Sequence, residues 1–362
     1  MRHGRPDPAG TAALQPGAIV PASPASLDAA AARLAAGGLV AFPTETVYGL
    51  GADAASAAAV AAIYATKGRP ADHPLIVHVG DAAAAAWWAE LPAAAQRLAE
   101  RFWPGPLTLI VARRPEAPAF ACAGQATIGL RCPSHPVAQA LLARVHALGG
   151  RGVAAPSANR FGRISPTRAQ HVADDLGAQA PPILDGGAAP IGIESTIVDV
   201  SRGAPVLLRP GAIGLDALAR ALGAAVAASP NVADPQVPDA AAPRASGTLA
   251  SHYAPRTPLR IVTADLDAAM TAALRAGQRV AVWRRSPSAG RPGPARGAAE
   301  PRSGEPLVRD APGGPEAYAR ALYATLRELD AAGCDLILVE APPRQPAWQA
   351  VWDRLSRAAT PG

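Results

Sequence analysis

A proline-rich stretch, residues 226–258, divides this chain of 362 residues into two parts. Prolines recur there at short intervals and hydrophobic periodicity is weak, which is typical of a linker. Because a chain of this length is too long for one ordinary core, the sequence predicts two domains. The predicted division is a disordered tail over 1–25, a larger domain over 26–214, a terminal helix and linker over 215–258, and a smaller C-terminal domain over 259–362.

Both predicted domains belong to the α/β class, because short apolar runs alternate with alanine-rich helical patterns. In the larger domain some strands follow one another directly, which requires antiparallel pairing and predicts a mixed sheet. In the smaller domain strands alternate with helices, which predicts a doubly wound, Rossmann-like unit without a GxGxxG turn. The predicted strands are 39–43, 74–79, 107–112, 127–132, 153–156, 183–185, 196–200, 206–209, 260–263, 279–284 and 335–340, and the helices are 56–66, 93–102, 137–148, 266–276, 315–332 and 348–359.

The charge and the cysteine content exclude several classes of protein. A formal net charge of +6 suits an anionic small ligand but is too low for a dedicated nucleic-acid binder. Cys122, Cys132 and Cys334 show neither CxxC pairing nor metal-ligand spacing. The sequence has no apolar signal region near its start and no run of about eighteen apolar residues. We therefore expect a cytoplasmic protein without a membrane span.

Lys67 is the only lysine in a chain with 34 lysine and arginine residues. A lysine retained against such a bias suggests a site that needs a compact ammonium group rather than a planar guanidinium group. Lys67 and Arg69 flank a glycine at the end of a predicted helix and could converge on a polyphosphate. The alternative is helix capping, because cations favour the negative end of the helix dipole. The sequence alone leaves both interpretations open.

Polar side chains stand at the ends of several predicted strands, where open α/β sheets bind ligands. Thr44 follows the strand 39–43, although its hydroxyl could instead bond local backbone. His78 and Arg131 lie on strands among apolar residues. A buried arginine requires an anionic partner, which could belong to the protein or to a ligand.

Two later segments carry the remaining candidates. Ser157 and Asn159 lie among small residues that permit close approach of a ligand. Ser165, before Pro-Thr, could donate to a phosphate near a helix start or cap the helix itself. Ser195 ends a glycine-rich loop, and Arg209 ends a strand. The sequence contains no Walker A, HExxH, GxSxG or CxxC motif, so no covalent nucleophile is predicted.

Seven collinear segments resemble the threonylcarbamoyl-AMP synthase family, which has the YrdC-like fold. They read FPTETVYGLGA, KGRPADHPLIVH, WPGPLT, TIGLRCP, APSAN, ESTIVD and LRPGAI, over about residues 26–214. The run SHYAP at 251–255 and the α/β unit after it resemble the two-domain form of this enzyme. The resemblance implies a YrdC-like twisted mixed sheet with helices, followed by a smaller C-terminal Rossmann-like domain.

The resemblance also implies a reaction. Threonine, bicarbonate and ATP would give threonylcarbamoyl-adenylate and pyrophosphate, with Mg²⁺ assisting, for the t6A modification of tRNA. The implied partners are the downstream tRNA threonylcarbamoyl-transferase proteins, with a weak tRNA contact and no membrane. The second domain would close the linker over the pocket.

The site residues implied by the resemblance fall into two groups, and no metal ligands are among them. Lys67 and Arg69 would be catalytic and would face ATP. The other residues implied to bind ATP are His73, Thr127, Ser157, Asn159, Ser165, Arg209 and Tyr253. The residues implied to hold threonine are Thr44, His78, Arg131, Ala155 and Ser195, with Arg131 on its carboxylate.

This chain departs from the family pattern at two points. The family often has asparagine where this chain has His73. In the linker, the usual Pro-Gly and basic residue before His-Tyr-Ala-Pro are replaced by ASGTLAS at 245–251.

Two other functions compete with the synthase. An RNA-binding module of the same fold would use a concave basic face, but interleaved basic and aromatic residues are absent. A relative that uses carbamoyl phosphate would carry extra zinc-finger and acylphosphatase-like modules, which are absent. The arginine-rich stretch 284–302 could touch tRNA, or could be a solvated, mobile loop.

Overall fold

The structure, a computed structural model, describes residues 14–237, 239–240, 242–285 and 305–360. Helix starts follow from local side-chain chemistry: Ser23 forms a capping box, and Ser56 and Asp265 each accept a hydrogen bond from a first-turn amide. The helices are α1 Pro24–Ala35, α2 Ala57–Lys67, α3 Ala82–Ala85, α4 Ala93–Phe102, α5 Pro136–Ala147, α6 Ala169–Leu176, α7 Leu215–Leu222, α8 Pro230–Ala233, α9 Leu266–Arg275, α10 Pro315–Ala331 and α11 Gln349–Ala359.

The strands form one large mixed sheet and one small parallel sheet. The large sheet has the order β1-β8-β2-β3-β7-β4-β6-β5-β9-β10-β11, and the small sheet has the order β12-β15-β13-β14. The strands are β1 Ile19–Pro21, β2 Val40–Phe42, β3 Gly49–Asp53, β4 Ile76–His78, β5 Leu107–Ala112, β6 Thr127–Arg131, β7 Val153–Ala154, β8 Ile183–Asp185, β9 Thr196–Asp199, β10 Val206–Arg209, β11 Ala227–Ala228, β12 Leu259–Val262, β13 Val280–Arg284, β14 Leu307–Asp310 and β15 Leu336–Glu340.

The register of the central strands aligns polar residues across the large sheet. His78 on β4 pairs with Arg131 on β6, and Arg131 pairs with Thr108 on β5. Thr108 in turn pairs with Ile197 on β9, two residues after Ser195. Residues directly opposite each other in a sheet share a face. The chain thereby gathers side chains that are far apart in sequence.

The C-terminal unit packs directly on the larger domain. One apolar cluster combines Val47, Ile164 and Ile193 of the first domain with residues of β13, β15, α10 and α11. Tyr253 of the linker lies in the same cluster. The two domains therefore share part of a hydrophobic core.

The predicted fold class is confirmed: a large twisted mixed sheet with helices precedes a small Rossmann-like domain. The predicted bounds of 93–102, 107–112, 183–185 and 206–209 are those observed.

Four predictions from sequence were wrong. Residues 14–25 of the predicted tail contain β1, which pairs with β8, and the start of α1. β3 is absent from the predicted strands because glycines interrupt its apolar pattern, yet Gly51 pairs with Val40. Ser165 does not open a helix, because α6 begins at Ala169. Part of the predicted linker adds β11 to the large sheet.

The remaining predictions on the tail and the arginine-rich stretch concern residues 1–13 and 286–304, which lie outside the described residues. Within the part of the chain that is described, no helix is both long and apolar enough to cross a bilayer.

Gly51 tests how tightly the sheet packs at β3. A Cβ atom there would lie 2.8 Å from the Phe42 ring and 3.0 Å from Val153 Cγ1. Gly51→Ala should therefore lower the free energy of unfolding by about 1–3 kcal/mol, measured by urea denaturation. Gly313→Ala is the control, because a Cβ there meets nothing within 4 Å. Equal stability of the two variants would contradict this packing.

Candidate active site

Lys67 is the last residue of α2, and its side chain is only 2 % exposed. The left-handed conformation of Gly68 ends the helix there. The Lys67 ammonium donates hydrogen bonds to the backbone carbonyl oxygens of Ser157, at 2.6 Å, and Asn159, at 2.5 Å. Burial, with the nearby charge of Arg69, lowers the Lys67 pKa well below its ordinary value. Among the described residues Lys67 has no carboxylate partner within salt-bridge distance.

Arg69 and Arg209 meet at the linker residue Ser246. Arg69 Nη2 donates to the Pro74 carbonyl at 2.9 Å and lies 3.4 Å from Ser246 Oγ. Arg209 Nη1 donates to the Ser246 carbonyl at 2.8 Å, and Nε donates to the Ser195 carbonyl at 3.1 Å. Burial lowers the pKa of Arg69 to about 10 and lowers that of Arg209. The acceptors that these two guanidinium groups reach in the described residues are neutral oxygens.

Arg131 forms a buried ion pair with Glu45. Its Nη2 donates to Glu45 Oε1 at 2.7 Å and lies 3.5 Å from Thr44 Oγ1. The other Glu45 oxygen accepts from the Ser134 amide at 3.1 Å. Arg131 Nε is buried and has no partner in the described residues. The structure thus identifies Glu45 as the anionic partner that the sequence predicted for Arg131. Arg131 Nε is a further donor, without a partner in the described residues.

His78 is buried beside Arg131, and its Nδ1 has no partner among the described residues. Burial, together with the Arg131 charge, lowers the His78 pKa to about 3. The ring is therefore neutral at physiological pH and can both donate and accept a hydrogen bond.

Ser195 directly follows Glu194 in the sequence, and Ser165 contacts the Glu194 carboxylate. Ser195 Oγ is 2.8 Å from Thr108 Oγ1 and accepts from Arg209 Nη2 at 3.1 Å. Ser165 Oγ donates to Glu194 Oε1 at 2.5 Å. Burial opposes ionisation of Glu194, but Arg354, Arg209 and this hydrogen bond outweigh it and hold its pKa at about 2.

Aromatic rings line the side of the site near Arg69. The Phe161 ring contacts His73 edge-on, with centroids 5.2 Å apart, and His252, with centroids 6.0 Å apart. The Arg69 guanidinium carbon lies 5.7 Å from the Phe161 centroid. Tyr253 adopts a positive φ of 62°, and its ring meets the His252 ring edge-on, with centroids 4.2 Å apart. These rings form an aromatic wall beside Arg69.

The other candidate residues contribute mainly through backbone and small size. Ala155 donates its amide to the Ile76 carbonyl at 3.0 Å. Asn159 Nδ2 donates to the Arg160 carbonyl at 2.7 Å, whereas Asn159 Oδ1 is buried without a partner in the described residues. Thr127 lines a small cavity that the linker covers at Ser246.

Arg69, Arg209 and Arg131 therefore form one connected group. Shared contacts at Ser246, Ser195 and Thr108 link Arg69 to Arg209 and then, through paired strands, to Arg131. Within the described residues no group of three or more His, Cys, Asp or Glu side chains could hold a metal ion.

Known proteins resemble the chain over both domains. A family model described as telomere recombination matches residues 32–211, and one described as threonylcarbamoyl-AMP synthase, C-terminal domain, matches residues 213–360. A Pyrococcus abyssi threonylcarbamoyl-AMP synthase is 38 % identical over 332 residues, which cover 91 % of this chain and 93 % of the relative. The chain belongs to the threonylcarbamoyl-AMP synthase family. A Bacillus subtilis synthase is also 38 % identical, over 336 residues covering 91 % and 92 % of the two chains.

Within this family a solved structure also matches. The crystal structure of P. abyssi Sua5 complexed with L-threonine has a TM-score of 0.82 and 35 % identity to this chain. The matched region covers 94 % of this chain and 97 % of the P. abyssi chain. The likeness extends over both domains, so the family's two-domain architecture is present here.

Sequence reasoning missed several side chains of the site. Glu45 lies inside the first motif and could have been found by asking which carboxylate pairs with Arg131. Glu194 could also have been found, because it directly precedes the candidate Ser195 in the sequence. Phe161 and Ser246 gave no signal, because an isolated aromatic residue and a linker serine have no spacing pattern to read.

The two fully buried histidines predict how stability depends on pH. Burial is the main reason why the pKa values of His78 and His252 are lowered from 6.5 to about 3. As the pH falls, the unfolded chain takes up protons on these histidines at a higher pH than the folded chain does. Their contribution to stability is therefore complete above pH 6.5 and is lost as the pH falls toward 3. His78→Leu should reduce the slope of unfolding free energy against pH in that window by up to about 1.4 kcal/mol per pH unit.

Urea unfolding between these pH values measures this slope. His146→Leu is the control, because His146 is exposed on α5. A wild-type slope in the His78 variant would contradict the conclusion that His78 is buried and neutral in the folded protein.

Proposed function

We propose that this chain is an L-threonylcarbamoyladenylate synthase. Threonine, bicarbonate and ATP would give L-threonylcarbamoyladenylate, pyrophosphate and water. The observation that carries the proposal is the burial of three cations, Lys67, Arg69 and Arg209, whose charges all act on the buried His252 ring. Their hydrogen-bond acceptors in the described residues are neutral oxygens. A buried cation without an ion-pair partner is costly, so such a group favours a polyanion. The triphosphate of ATP has the required charge.

Threonine would occupy the adjoining group around Arg131. The unused Arg131 Nε can donate to the threonine carboxylate, while Glu45 keeps the guanidinium group oriented. The hydroxyl groups of Thr44 and Ser195 and the neutral His78 ring offer partners for the amino acid's other polar atoms. Ala155 would lie beside the bound molecule through its backbone.

ATP would extend from the cations toward the aromatic wall. Lys67, Arg69 and Arg209 would bind the phosphates, and Tyr253, Thr127, Ser157 and Ser165 would border the nucleotide. The free Asn159 Oδ1 can accept a hydrogen bond from it. His73 and the Phe161 wall suit stacking of a base.

The chemistry needs positioning and charge stabilisation rather than a protein nucleophile. The threonine amine attacks bicarbonate and water leaves, giving a carbamate. A carbamate oxygen then attacks the α-phosphorus of ATP, and the bond to pyrophosphate breaks. Negative charge builds on the phosphoryl oxygens and the leaving group, where Lys67 and Arg69 would stabilise it.

Mg²⁺ belongs to this proposal as a companion of ATP. With no cluster of three metal-binding side chains in the described residues, the ion would take most of its ligands from phosphate oxygens and water. The proposal also includes a cytoplasmic location, a downstream tRNA threonylcarbamoyl-transferase partner, weak tRNA contact, and a C-terminal domain over 259–362 that follows the segment 215–258.

The decisive experiment is mass spectrometry of the product formed from ATP, bicarbonate and threonine. We expect a threonine-dependent adenylate and pyrophosphate release. Lys67→Ala should lower that release by at least about a hundredfold, because it removes a charge that is needed in the transition state. Arg97→Ala, which removes an exposed cation on α4, is the matched control and should retain activity.

The same variants test the RNA-binding alternative. Under that alternative no adenylate forms, and Lys67→Ala only weakens a salt-sensitive binding of RNA. Product formation from carbamoyl phosphate instead of bicarbonate and threonine would also overturn the proposal.

A further inference from the structure

Arg354 on α11 is a residue of the C-terminal domain that touches three motifs of the site. Its Nε donates to Glu194 Oε2 at 2.8 Å, in the segment that carries Ser195. Its Nη1 donates to the Pro210 carbonyl at 3.0 Å, directly after Arg209. Its guanidinium carbon lies 5.2 Å from the centroid of the Tyr253 ring.

Arg354, Tyr323 and Ser165 form a buried clamp around Glu194. Arg354 has no exposed surface, and Asp353 on the same helix accepts a further hydrogen bond from it. Tyr323 on α10 donates its hydroxyl to the same Glu194 oxygen at 2.8 Å. Glu194 thus accepts from two helices of the C-terminal domain, while its other oxygen accepts from Ser165.

The geometry points to a positioning role for Arg354 and Tyr323. We propose that these two side chains, by holding Glu194 and the Pro210 carbonyl, fix the backbone that presents Ser195 and Arg209 to the substrates. The C-terminal domain then completes the site without touching ATP or threonine. This inference rests on the proposed function of those residues.

A mere domain contact would have a different kinetic signature. Loss of a contact that only stabilises the fold reduces the amount of folded enzyme, which lowers kcat and leaves KM unchanged. Misplacement of Arg209 and Ser195 in folded enzyme instead weakens substrate binding, which raises KM. The ratio of the two effects therefore separates positioning from stability.

The test compares Arg354→Met and Tyr323→Phe with wild type, at a temperature where each is folded by circular dichroism. We expect the KM for ATP to rise at least about tenfold in Arg354→Met, as expected for loss of charge-assisted hydrogen bonds, and to rise less in Tyr323→Phe. If Arg354→Met does not fold, Tyr323→Phe decides, because it removes one hydroxyl and keeps the ring.

Arg357→Met is the matched control. Arg357 lies one turn along α11, has no exposed surface and also pairs with Asp353, but its other partners are Asn231 and Leu249. We expect it to lose comparable stability with the KM for ATP unchanged. An unchanged KM in both Arg354→Met and Tyr323→Phe would overturn the inference, as would an equal rise in Arg357→Met.

Failure of the proposed function remains distinguishable from failure of this inference. Titration calorimetry with ATP alone gives a dissociation constant that does not depend on turnover. If wild type forms no adenylate but binds ATP, the same comparison of variants is made on that constant. If wild type neither binds ATP nor forms adenylate, the proposed function fails, and this inference fails with it.

Discussion

Buried positive charge is the constraint on which the rest of this structure depends. Lys67, Arg69 and Arg209 are removed from water, yet backbone carbonyls and hydroxyls are the acceptors they reach in the described residues. Such oxygens orient a cation but do not neutralise it, and the lowered pKa values of all three groups express that cost. The fold maintains the arrangement because the ends of α2 and β10 are fixed by packed elements. An anionic substrate would relieve this cost, and that relief would contribute to its binding.

The charge of Arg131, unlike that of these three cations, is balanced within the protein. Under the proposed function, this contrast would let one pocket accept two different substrates. The Arg131 charge is balanced by Glu45, so the group around it is close to neutral before binding. Such a site suits a zwitterionic amino acid, whereas the unbalanced cations suit a polyphosphate. The two groups connect through Ser195 and Thr108. Arg354 and Tyr323 of the C-terminal domain hold Glu194. Both domains therefore contribute to the position of the segment that carries Ser195.

The sequence was most informative where a local rule was sufficient. The helix 93–102 and the strands 107–112 and 206–209 were predicted with their observed bounds, because apolar runs and turn residues mark them clearly. β1 was missed because it is three residues long and is stabilised by pairing with β8, over 160 residues away. Ser165 was expected at a helix start, but tertiary contact with Glu194 takes its hydroxyl instead. The site residues followed from family motifs, whereas Phe161, Ser246 and Arg354 are brought to the site by the fold alone.

The single lysine of this chain permits a direct test of the central claim. Selective labelling of lysine with ¹⁵N gives one side-chain resonance, which reports the titration of Lys67 alone. We predict a pKa well below the ordinary lysine value of 10.5 in the ligand-free protein, because of burial and the neighbouring Arg69. Addition of ATP should raise that pKa, since the phosphates supply the missing counter-charge. An ordinary pKa that does not respond to ATP would contradict the account.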